Sequence, residues 1–145
     1  MNNLLDQLNK KVAIEKIKNE SLQQQIKDLS MLQSMQDFYF DLLLNCFNCV
    51  EAEAIEELGN SYEDDLTGFI ELKEECLNWA RHSSSASDYI EKIEAINLPA
   101  NLSSNSLEDA LSFLRTDVYN AMLHLITIRR ELQDESKIRT IDSLL

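Results

Sequence analysis

Glycine occurs twice and proline once in 145 residues. Sandwiches, barrels and propellers spend those two residues at turn after turn, so their scarcity argues against a β-rich fold. Gly-rich phosphate loops and dinucleotide fingerprints are excluded on the same ground. No fully apolar run exceeds three residues, as at Leu42-Leu43-Leu44, against the ~20 that a membrane helix needs. Basic charge is also short, with 13 Lys and Arg against 26 Asp and Glu and a net charge of −13. Such a surface repels phosphate backbones and anionic lipid over a screening length of about 8 Å. Neither direct nucleic-acid binding nor membrane association is expected. Met1-Asn2-Asn3 opens with neither a basic n-region nor an apolar h-region, and three cysteines are an odd number. The chain therefore reads as soluble, thiol-reduced and intracellular, either cytoplasmic or nuclear.

What is present is 44% apolar residues, enough for a core, arranged at helical spacing. Residues 2–36 are polar and free of Gly and Pro. One heptad frame puts Leu5, Val12, Asn19 and Ile26 at a, with Leu8, Glu15, Leu22 and Leu29 at d, before fading at Gln33 and Gln36. Val and Ile at a with Leu at d favour two parallel strands, and a lone Asn at a sets register. The oligomerisation set is thus Leu5, Leu8, Val12, Asn19, Leu22, Ile26 and Leu29. A homo- or hetero-oligomer follows, a dimer being favoured. The excess acid lies after residue 36, and residues 51–65 hold seven acids and no base. That run reads as solvated surface.

From Met31 to Val50 apolar residues fall on every side, so burial all round is expected, with a bend near residues 30–36. Leu58-Gly59-Asn60 reads as a helix end with Gly at C′, and Ser61 as the next N-cap. Leu66 to Ala80 then continue at helical spacing. Tyr89, Ile90, Ile93 and Ile96 mark a short helix stopped by Leu98-Pro99. Ser106 caps the last helix, whose stripe runs Leu111, Leu114, Val118, Ala121, Leu125, Ile128 and Leu132. Phe113, Met122, Leu123 and Ile126 widen it, so most of this helix is expected to be clasped by other helices. The C-terminal helices are expected to present a partner groove, with Leu111, Leu114, Val118, Leu125 and Ile128 as the partner-binding set. The expected architecture is all-α: a coiled-coil helix over residues 1–36, a helical head over 37–133 and a frayed tail over 134–145.

Little here points to bond-making chemistry. Cys46 and Cys49 form a C-x-x-C, and Cys76 with His82 would complete a Cys₃His zinc set. Both cysteines of the pair lie in an apolar helical run, where Cys serves as a small hydrophobe. His82 and His124 have no Ser or Cys motif beside them. No catalytic residue and no cofactor is expected. The function that follows is a non-enzymatic scaffold or adaptor that binds protein partners, with a small acidic helical chaperone as the alternative.

Four stretches carry a resemblance. They are Asp41-Leu42 through Phe47 and Val50, Phe69-Ile-Glu-Leu72, Leu98-Pro99-Ala-Asn-Leu102, and Leu107 through Arg115. With the preceding coil they resemble the kinetochore-linking subunit family of the monopolin complex. That resemblance implies a dimeric coil, an α+β head of the RWD type, kinetochore protein partners and a place in chromosome segregation. Residues 50–58, 69–77 and 89–96 would then have to be strands.

Overall fold

The computed structural model describes residues 2–45 and 50–144, leaving aside the side chains of Asn2 and Leu43. Helix α1 spans Asn2–Asn45 and α2 spans Glu51–Arg81. A short α3 (Ala86–Glu94) and a loop follow. The chain then enters α4 (Leu107–Ser112), a π-helical segment (Phe113–Val118) and α5 (Tyr119–Leu144) without leaving helix. The fold is all-α. Residues 51–58, 69–77 and 89–94 are helical, and no strand occurs among the described residues. An RWD-like head is therefore not supported.

Two sequence expectations are corrected in α2. Gly59 does not end a helix and Ser61 does not cap one, because α2 runs through both. Ala54, Leu58, Tyr62, Phe69, Leu72, Cys76 and Ala80 are buried along one face, and their 3–4 spacing crosses Gly59 unbroken. Covering that face against α5 and α3 outweighs the ~1 kcal/mol that a Gly costs inside a helix. Helix α1 is unbroken through residues 30–36, the stretch where a bend is expected from sequence. The cap at Ser106 is present, its Oγ accepting from the Asp109 backbone N–H at 3.1 Å. Glu51 completes that helix start by accepting from Leu107 N–H at 2.9 Å.

The core lies where α2, α5 and α3 meet and α1 closes over them. Tyr62 OH donates to the Pro99 carbonyl, and Lys73 Nζ donates to Ile96 O at 2.8 Å and Asn97 Oδ1 at 2.9 Å. Together they tie the α3–α4 loop to α2. Helix α5 continues through residues 134–144, the stretch expected from sequence as a tail. Glu135 accepts from Ser83 Oγ (3.0 Å) and Ser84 Oγ (2.8 Å), which pins α5 to the α2–α3 linker. These hydroxyls hold the Glu135 carboxyl below its usual range.

Helix α2 can be tested at three positions. Neither glycine has positive φ, and a Cβ at Gly59 or Gly68 would meet nothing within 4 Å. Gly59→Ala and Gly68→Ala are each expected to stabilise by about 0.4–1 kcal/mol, read as a rise in thermal midpoint. Burial raises the Asp65 carboxyl to about 6. Between about pH 4 and 6 the folded chain keeps a proton that the unfolded chain has lost, so stability falls as pH rises through that window. Asp65→Asn removes this slope and stabilises at pH 7 by on the order of 1 kcal/mol, measured by urea denaturation across pH.

Candidate interaction surface

Helix α1 has two apolar faces, and they behave differently. At 100° per residue, positions 28, 32, 35, 39 and 42 share one side. Leu32 and Tyr39 are 2% and 1% exposed, with Met35 and Leu42 packed beside them against the head core. The opposite side carries the heptad residues. Leu5, Leu8, Val12, Leu22, Ile26 and Leu29 are 51–68% exposed, a largely apolar stripe that the chain itself leaves uncovered. Glu15 and Asn19 lie within it and are exposed as well.

An ion cluster decides which side turns inward. The Arg129 guanidinium on α5 donates to Asp28 Oδ1 on α1 at 2.5 Å and to Glu75 Oε2 on α2 at 3.2 Å. Gln24 adds a donor to Asp28 at 2.9 Å. Arg129 and Asp28 are both buried. Burial works against the Arg129 charge, yet the hydrogen bonds and charges of Asp28 and Glu75 outweigh it and hold the guanidinium above its ordinary value. Nearer the C-terminal end of α1, Gln36 Nε2 donates to Arg115 O at 3.0 Å. A π-helical turn displaces its backbone groups from ordinary α pairing, and Gln36 satisfies one of them. The heptad frame fades at Gln36 because that side chain is held by the π segment.

The stripe extends beyond the oligomerisation set read from sequence. Leu4 (65%), Phe40 (50%) and Leu44 (58%) are exposed on the same side. Phe40 falls in the a frame seven residues after Gln33, a signal hidden by the apolar residues crowded around it. The partner groove expected on the last helix, in contrast, is closed. Leu111, Leu114, Val118, Leu125 and Ile128 are 0–8% exposed and lie in the core made by this chain's own helices. A stripe that long is buried here by neighbours in the same chain, so it offers no open surface to a partner.

The zinc set does not assemble from what is described. Cys46 and Cys49 lie outside the described residues. Cys76 is fully buried and donates its thiol to Leu125 O at 3.3 Å, and burial pushes that thiol up to about 11, the opposite of what a metal thiolate requires. His82 and His124 are exposed. No cluster of three metal-ligating side chains occurs among the described residues. No described helix is long and apolar enough to cross a membrane. No protein-family model, curated protein or solved structure matches this chain.

Breaking the cluster from different sides should separate its parts. Asp28→Asn leaves a buried guanidinium short of its main counter-charge and is expected to cost about 3 kcal/mol. Glu75, with 48% of its side chain exposed, is expected to lose no more than ~1 kcal/mol as Glu75→Gln. Urea denaturation of both variants checks the ratio.

Proposed function

We propose that this protein is a non-enzymatic adaptor that pairs through the open stripe of α1 and carries its helical head into a larger protein assembly. One observation supports this reading above the others: six large apolar side chains in one heptad frame, each more than half exposed, on a helix whose other face already covers its own head. Leaving that area in water forfeits about 25 cal/mol per Å² that a covering helix would recover. Contiguous apolar surface of this kind marks protein interaction sites. Phe40 and Leu44 give the head a smaller apolar surface next to the stripe, suited to a second protein. The kinetochore partners implied by the monopolin resemblance depend on an RWD-type sheet, and they form no part of this proposal. The chaperone reading needs a client groove, and the last helix that would have lined one is spent on the core.

Light scattering tests the pairing. Wild type is expected at the mass of a dimer. Leu22→Asp, which places a charge in the seam, is expected at the mass of a monomer with helical content kept. Asn19→Leu removes the polar a layer and is expected to raise the thermal midpoint while loosening the choice of register or stoichiometry. A wild-type monomer at tens of micromolar, or an unchanged dimer for Leu22→Asp, would remove the proposal.

A further inference from the structure

The direction of pairing is written into the order of the stripe. Read from either end it is the same: three apolar residues, two polar ones, three apolar ones. Leu5, Leu8 and Val12 come first, Glu15 and Asn19 sit in the middle, and Leu22, Ile26 and Leu29 close it. We infer that α1 pairs with α1 of a second copy in antiparallel fashion, centred near Ile17, so that Leu5 faces Leu29, Leu8 faces Ile26, Val12 faces Leu22, and Glu15 faces Asn19. This inference rests on the reading that the stripe joins two copies.

Seam chemistry separates the two directions. In a parallel pair every residue meets its own copy, so Glu15 meets Glu15 at a d layer, two like charges opposed in a partly dry seam. In the antiparallel register each Glu15 carboxylate meets the amide of an Asn19, an acceptor facing a donor, and this happens twice about the two-fold axis. Every apolar residue then meets an apolar residue. The flanking lysines, Lys11, Lys16 and Lys18, are close to the Glu15 layer in either direction and do not decide between them.

Charge on the heads points the same way. Residues after 36 hold 22 acidic and 8 basic side chains, whereas residues 1–36 hold 4 acidic and 5 basic ones. A parallel pair would set two strongly acidic heads at the same level along the axis, one on each outer side of helices about 8–10 Å apart. An antiparallel pair puts the Asp28 contact with Arg129 of each head roughly 17 Å along the axis from the centre, on opposite sides of it. Those contacts of the two copies then stand roughly 33 Å apart, about four screening lengths of ~8 Å. Phe40 and Leu44 fall outside the paired stretch and remain open at both ends of the assembly.

Cysteine pairing in the full chain tests direction and register together. Val12→Cys and Leu22→Cys are made separately, each with Cys46→Ser and Cys49→Ser, and their masses are checked by light scattering before oxidation. Neither variant alone is expected to form a covalent dimer, while the two refolded together should link up to half of the chains. Leu8→Cys with Ile26→Cys repeats the test should either first variant fail to pair. Self-crosslinking of a single variant at dimer mass would overturn the antiparallel direction while leaving the pairing intact. A dimer in which neither mixture crosslinks would overturn the register. Monomeric wild type would instead remove the pairing itself, and this inference with it.

Discussion

A guanidinium buried among helices is tolerated only where carboxylates reach it with good geometry, and this fold is organised around one such case. Arg129 holds Asp28 of α1 and Glu75 of α2 at once, so three helices meet at a single charged group. Replacing that contact by a slightly rotated α1 would bury an uncompensated charge at a cost of several kcal/mol. Apolar packing alone tolerates small rotations far better. The cluster therefore fixes the azimuth of α1, and the azimuth decides which apolar face is covered and which is left open.

The consequences for function run through that choice. With Asp28, Leu32 and Tyr39 turned inward, the heptad residues must point away from the head. A helix with two apolar faces serves its own domain with one and leaves the other in water. The head adds a surface rich in carboxylates. A surface this acidic steers basic groups towards it and repels other acidic surfaces.

Much of this was legible in the chain. The seam residues from Leu5 to Leu29 stand out because a seven-residue period survives any context. Ser106 is recognisable as a cap because its chemistry is local. The reading of Gly59 as a helix end failed for a physical reason. A local preference worth about 1 kcal/mol competes with burial of a face running from Ala54 to Ala80, and the burial is the stronger of the two. The continuous 3–4 spacing across Gly59 was visible and outranked the single residue. The order of the tail after residue 133 was not legible because its anchors, Ser83 and Ser84, lie some 50 residues away in sequence.

Composition and periodicity by themselves determined that the chain is all-α, that its N-terminal helix carries a heptad stripe, and that the acidic charge is gathered behind it. Those properties depend on residues close in sequence. Only the tertiary structure decided that Leu111, Leu114, Val118, Leu125 and Ile128 are consumed by the chain's own core while the stripe on α1 stays bare. Both stripes are apolar and helical, and nothing local distinguishes a face covered by its own chain from one left open. That distinction arises from the long-range contact of Arg129 with Asp28, 101 residues apart, which turns one face of α1 to the head and the other to water.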